Sequence, residues 1–187
     1  GQSAGTALAD ILLGDYNPSG RLPVTVYKSL EQLLGFEDYG MQGRTYRYFS
    51  GDPLYEFGYG LSYTSFRYTN LQIPTRIATN DPIEFSVDVT NTGNMDGDEV
   101  VQVYISHESL PFVTPIRSLK GFKRVSLKKG ETKTIRFLLE SDDLSVVKDD
   151  GRVIVMPCTI KMSVGGKQPD MQSLKQGTVV ELSLIHI

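Results

Sequence analysis

One cysteine, two histidines and no basic block: each shortage removes a class of function from this 187-residue sequence. The lone thiol, Cys158, excludes an internal disulfide framework and any cysteine-rich metal site. His107 and His186 are too little material for a histidine-centred triad or for zinc ligation, so no metal site is expected. No apolar stretch approaches the roughly 18 residues a membrane helix needs, and no membrane span is expected. Nineteen Lys+Arg against 22 Asp+Glu leave a formal charge of −3, which gives a nucleic-acid partner no electrostatic support. Gly5, Gly14 and Gly20 are spaced too widely for a phosphate loop, and no Gly-x-Gly-x-x-Gly opens a helix. No cofactor is expected, and no internal repeat is evident.

What is present is ordinary globular composition, 40% hydrophobic and 22% charged, arranged in zones. In residues 1–28, Ala4, Ala7, Leu8, Ile11 and Leu12 form one apolar stripe at helical period. Ser3 suits an N-cap and Gly14 a left-handed C-terminal position. A turn-rich run, Asp15-Tyr16-Asn17-Pro18-Ser19-Gly20, precedes an expected strand over residues 22–27. A helix of about ten residues and a lone strand are both marginal alone. This zone therefore reads as the end of a domain lying upstream, and the start at Gly1, without methionine or leader, agrees with a missing N-terminus.

Residues 29–66 read as an irregular aromatic linker. Eleven of the 18 aromatic residues lie between Phe36 and Tyr68, interrupted by Gly40, Gly43, Gly51, Gly58 and Gly60. Tyr46, Tyr48, Phe57, Tyr59 and Tyr63 alternate at intervals that fit an extended strand. Two readings are open: a buried interdomain seam, or an exposed platform on which sugar rings stack.

Residues 67–166 change to period two. Phe85, Val87 and Val89 alternate with polar neighbours, as do Val101, Val103 and Ile105, then Ile135, Phe137 and Leu139, then Ile160, Met162 and Val164. Turn signals separate the runs, and short strands at this spacing predict an antiparallel β-sandwich. Residues 167–187 form a polar stretch followed by one further possible strand.

Carboxylates are the only plentiful catalytic group, and glycoside hydrolysis needs two of them, roughly 5–9.5 Å apart. Glu37 and Asp38 point to opposite faces of an extended chain, and Glu56 sits between two rings. Solvation, or pairing with Arg44 and Arg47, is the expectation for all three. Cys158 reads as an inert thiol in an apolar run, and His107 as a turn residue beyond the strand ending at Ile105.

Taken together these segments carry a resemblance. The run Gly1-Gln2-Ser3-Ala4-Gly5-Thr6-Ala7-Leu8-Ala9-Asp10, continuing through Asn17-Pro18-Ser19-Gly20-Arg21-Leu22-Pro23, resembles the closing helix and strand of the second domain of glycoside hydrolase family 3. Gly43-Arg44-Thr45-Tyr46-Arg47-Tyr48-Phe49 and the following Pro53-Leu54-Tyr55-Glu56-Phe57-Gly58-Tyr59-Gly60-Leu61-Ser62-Tyr63 are similar to that family's linker. Val87-Asp88-Val89-Thr90-Asn91-Thr92-Gly93 and Leu119-Lys120-Gly121-Phe122-Lys123-Arg124-Val125 look like its last domain, a fibronectin type III-like sandwich of immunoglobulin-like form.

The resemblance implies a mostly β chain preceded by a remnant of an α/β sandwich domain. The parent would be a retaining, exo-acting β-glucosidase or β-xylosidase acting on β-linked glycosides, periplasmic or secreted. Its aspartate nucleophile and glutamate acid/base would lie upstream of Gly1, so this chain carries no catalytic residue over from the family. The sandwich would be structural, packed on the barrel and α/β domains; a free-standing carbohydrate-binding or adhesion module is the alternative. Phe36-Glu37-Asp38-Tyr39 looks closer to xylosidase-like members. Residues 182–187, Leu182-Ser183-Leu184-Ile185-His186-Ile187, form a very apolar free end and resemble a translated sequencing-adapter repeat, which would make His186 non-native.

Overall fold

Alternation along the sequence becomes alternation of faces in space. The computed structural model describes residues 1–78 and 81–186. Its strands are β1 (Phe66–Gln72), β2 (Arg76–Ile77), β3 (Ile83–Asn91), β4 (Gly97–Glu108), β5 (Ser118–Leu127) and β6 (Thr132–Leu139). They continue as β7 (Val146–Val147), β8 (Val153–Ile154), β9 (Cys158–Gly165) and β10 (Val179–His186). Three short helices accompany them: α1 (Ala4–Leu13), α2 (Thr45–Tyr48) and α3 (Met171–Gln176).

The strands build the sandwich expected from the sequence. One sheet has the order β1-β3-β6 and the other β2-β10-β9-β4-β5, with β7-β8 a small separate hairpin. All pairings are antiparallel except β2 with β10. The alternating residues of β3, β4, β6 and β9 named above all point inward and are buried. Phe85 and Phe137 face each other across the β3–β6 ladder and stack with centroids 5.3 Å apart. Burial of this shared apolar layer, at about 25 cal/mol per Å², is what holds the two sheets together.

Polar cross-strand pairs secure the outside. Asp98 stands opposite Ser126 in the β4–β5 ladder and accepts its hydroxyl at 2.6 Å, together with Arg124 Nε at 2.9 Å. Asp88 stands opposite Thr134 and accepts its hydroxyl at 2.6 Å. These hydrogen bonds, from Ser126 and from Thr134, hold both carboxyls below their ordinary range.

Strand β10 occupies an interior position. It pairs with β9 from Val179 to His186 and with β2 at Ile185 and His186, so the sandwich runs past residue 166. Residues 182–186 are therefore a paired strand and not a free end: Leu184 and His186 face inward and are 1% exposed, while Leu182 and Ile185 are each 43% exposed. Ile187 lies outside the described residues.

Several local expectations change. Residues 22–27 form no strand; a single bridge joins Val26 to Tyr55, and Leu22 bonds separately to Gly58 and Tyr59. His107 lies inside β4, which runs on to Glu108, and its Nε2 sits 3.0 Å from the Leu144 carbonyl. Tyr46 and Tyr48 are on helix α2, so the rings of that zone do not share one extended strand. Helix α1 forms and closes at Gly14 with φ +85°, yet Ser3 makes no capping hydrogen bond and none of the helix's residues is buried.

The two apolar patterns should thus respond differently to truncation. Ile160→Ala, at a fully buried site, is expected to cost about 3 kcal/mol in urea unfolding. Leu12→Ala, on a side chain 70% exposed, should cost less than about 0.5 kcal/mol. Equal losses at both sites would contradict this division of the chain.

Candidate functional site

The outer face of the five-stranded sheet should be solvated, yet Gln102, Tyr104 and Ser163 on it are 3%, 1% and 2% exposed. The aromatic linker covers Gln102 and Tyr104. Tyr46 and Phe57 stack with centroids 4.1 Å apart, and the Tyr104 ring meets both edge-on at 6.2 and 6.5 Å. Tyr46 Oη also accepts the backbone N–H of Leu119 at 3.1 Å. Between the two readings left open by the sequence, this part of the zone is a seam.

Beneath the rings runs a chain of directed hydrogen bonds. Tyr104 donates to Gln102 Oε1 at 2.6 Å, and Gln102 Nε2 donates to the carbonyls of Gly166 at 2.7 Å and Gly58 at 3.2 Å. Gly58 adopts φ +81°, and a Cβ there would sit 2.4 Å from Gln102 Oε1. Only glycine lets the linker approach so closely.

At the end of the seam lies a buried ion pair. Glu99 has the inward parity of Val101 and Val103, so its carboxylate points into the sandwich and is 3% exposed. Arg21, from the turn-rich N-terminal run, reaches it with Nη2 2.7 Å from Oε2, and Tyr68 of β1 donates to Oε1 at 2.9 Å. Arg21 Nε donates to the Gly166 carbonyl at 3.0 Å, and a Cβ on Gly166 would lie 2.1 Å from Glu99 Oε1. Burial raises the Glu99 carboxyl; Arg21 and the Tyr68 hydroxyl oppose that rise without cancelling it. Burial likewise pushes the Tyr68 hydroxyl up, which keeps it a donor. Sequence reading missed this triad: Arg21 and Glu99 are 78 residues apart. The one available signal was an acidic residue in phase with Val101 and Val103.

The remaining contacts extend the same seam. Asn17 Oδ1 accepts Ser62 Oγ at 3.0 Å and Tyr63 N at 2.8 Å, while Tyr63 donates to the Ile11 carbonyl at 2.7 Å. Arg124 of β5 donates to Ser19 Oγ at 2.7 Å and Tyr16 Oη at 2.9 Å.

No acid/base pair emerges from the sequence candidates. Glu37 and Asp38 are exposed, and Asp38 caps its own turn by accepting Gly40 N at 2.8 Å. Arg44 bonds the Asp38 and Gly40 carbonyls rather than a carboxylate. Glu56 is paired with Lys167, not with arginine: Lys167 Nζ lies 2.6 Å from Glu56 and 2.5 Å from Asp170. One ammonium thus fills the space between the two carboxylates, where a glycosidic oxygen would have to sit. Cys158 is half-buried at the start of β9, and burial pushes its thiol up, away from the reactive thiolate. Among the described residues no group of three or more His, Cys, Asp and Glu could hold a metal ion, and no helix is long and apolar enough to cross a membrane.

The ion pair gives the site a pH signature. Glu99 is raised in the folded chain, so ionising it weakens folding as pH climbs from 4.5, and Arg21 limits that loss. Arg21→Met should therefore cost about 3 kcal/mol near neutral pH, by leaving a buried carboxyl unpaired. The penalty should shrink below pH 4.5, where Glu99 is protonated in folded and unfolded chains alike. A pH-independent penalty in urea unfolding would show that the contact acts through packing alone.

Comparisons with known proteins agree with this anatomy. Residues 1–63 match the glycosyl hydrolase family 3 C-terminal domain, and residues 99–168 match the fibronectin type III-like domain. A xylan 1,4-beta-xylosidase from Xylanibacter ruminicola is 47% identical over 77% of this chain and 16% of its own length. A periplasmic beta-glucosidase from Salmonella typhimurium is 35% identical over 95% of this chain and 25% of its own. A solved β-glucosidase structure from Erythrobacter marinus superposes with a TM-score of 0.80 at 36% identity, covering 98% of this chain and 24% of that one. The chain thus spans a quarter or less of the length of these relatives. It belongs to glycosyl hydrolase family 3, joining part of that family's C-terminal domain to its fibronectin type III-like sandwich.

Proposed function

We propose that this chain is the C-terminal part of a retaining, exo-acting β-glycosidase that releases sugars from β-xylosides or β-glucosides. In this reading the nucleophile and the acid/base belong to residues upstream of Gly1. The seam's role is mechanical: it locks the sandwich to the end of the preceding domain. The observation that carries the reading is the Arg21–Glu99 pair, in which a residue from the matched family 3 segment completes the interior of the sandwich. The occupied ammonium bridge between Glu56 and Asp170 supports placing catalysis elsewhere.

Residues 1–28 are proposed as the end of the α/β domain, residues 29–66 as the linker and residues 67–166 as the body of the sandwich. Pairing of β10 along β9 supports carrying the sandwich on through residue 186. The exposed apolar stripe of α1, with Leu8 58% and Leu12 70% exposed, supports a partner surface in the preceding domains. The relative named as periplasmic supports a periplasmic or secreted setting. The xylosidase, the more similar of the two named relatives, favours β-xylosides.

Purified chain should hydrolyse neither aryl β-xyloside nor aryl β-glucoside. The upstream reading frame should encode a barrel with a nucleophilic aspartate and most of an α/β domain. Turnover by the chain alone, after contamination controls, or a frame lacking that barrel would refute the reading. The same gene, followed downstream, tests whether residues 182–187 are non-native, against which their pairing along β9 speaks: in-frame continuation past them would refute it.

A further inference from the structure

Beside the seam lies a cleft of about 820 Å³, between the linker and the turn that leads into α3. That volume falls within the roughly 300–1,000 Å³ of small-molecule sites. Its lining is mixed. Tyr55, 44% exposed, and the half-buried Tyr59 tilt together with centroids 5.2 Å apart and give it an aromatic wall. Two cations, Arg117 and Lys167, and three carboxylates, Asp52, Glu56 and Asp170, line the cleft.

Its hydrogen bonding is incomplete. Arg117 is half-buried just before β5, and its guanidinium makes no hydrogen bond among the described residues; of the carboxylates that act on it, Glu56 and Asp170 are held by Lys167 and Glu181 by Ser163 and Lys161. Two buried side-chain oxygens lack a partner among the described residues, Thr25 Oγ1 and Gln168 Oε1, and both residues line this cleft. Gln168 is only 8% exposed. Buried polar atoms are ordinarily paired, so two orphans bordering one cavity mark a place where partners arrive from outside.

We propose that this cleft binds pyranose rings of a neutral β-linked oligosaccharide. A pyranose has apolar faces that stack on tyrosine and a rim of hydroxyls that both donate and accept. The hydroxyls donate to Thr25 and Gln168 and accept from the Arg117 fork. Three carboxylates against two cations disfavour an acidic ligand. The choice of β-linked sugars rests on the function proposed above, but binding is read without turnover, so the two can fail separately.

Xylotriose and cellotriose, titrated into the full chain by calorimetry with tyrosine NMR signals followed in parallel, provide the test. Saturable binding of either sugar is expected, weakened roughly tenfold by Arg117→Ala and by Tyr55→Ala. Tyr55 is an exposed residue, so its variant keeps the test valid if loss of Arg117 disturbs folding. Absence of saturation for both sugars, or binding indifferent to both variants, would overturn the site. Stronger binding of an acidic peptide than of either trisaccharide would overturn the ligand class.

Discussion

A carboxylate facing the inside of a β-sandwich is the constraint from which the remaining organisation follows. Glu99 occupies a position whose parity demands an apolar side chain, and removing its charge from water is costly. The sandwich does not contain its counter-charge. The guanidinium comes from Arg21, in the turn that follows α1, and the third member is the Tyr68 hydroxyl on the opposite sheet. The strands alone therefore leave this acid without a counter-charge. Docking of the N-terminal run is what supplies the missing charge.

That linkage dictates the path of the linker. Arg21 is tied to Gly166, Gly166 is bonded by Gln102, and Gln102 is bonded in turn to Gly58 and Tyr104. Each step needs a close backbone approach, which is why glycine stands at 58 and 166. Once Gly58 is seated, Phe57 lies over Tyr104 and Tyr46 stacks on Phe57. The aromatic zone has no regular ladder of its own because its packing partner is a sheet face, and rings satisfy that face without backbone hydrogen bonds.

The same physics explains what could be read from the sequence. Strands β3, β4, β6 and β9 were legible because each has one face toward the core, so polarity alternates with the pleat. In β4 that alternation also misleads: Gln102 and Tyr104 look like solvent-facing residues, while the linker buries them. Residues 182–186 looked like a loose apolar end because the neighbours that receive Leu184 and His186 come from β9 and β2, remote in sequence. The partner of Glu56 was misassigned for a similar reason. Arg44 and Arg47 are near it in the chain, whereas Lys167 is brought near by the fold. Periodicity reports how an element meets its layer; it carries no information on which distant side chain fills a gap in that layer.

A buried ion pair in the seam, where two leucines would bury as much surface, has a consequence for geometry. Apolar surfaces tolerate sliding, since any contact that excludes water is favourable. Glu99 tolerates none. Displacing the N-terminal run by one residue withdraws Arg21 and leaves a carboxylate without a counter-charge at 3% exposure. Relative to apolar packing the pair adds little to net stability, because both charges are well solvated when the seam is open. Its effect falls on misaligned states, each of which retains the desolvation cost and loses the attraction. The seam thus selects one register between the family 3 segment and the sandwich, and the glycines at 58 and 166 enforce the same register sterically.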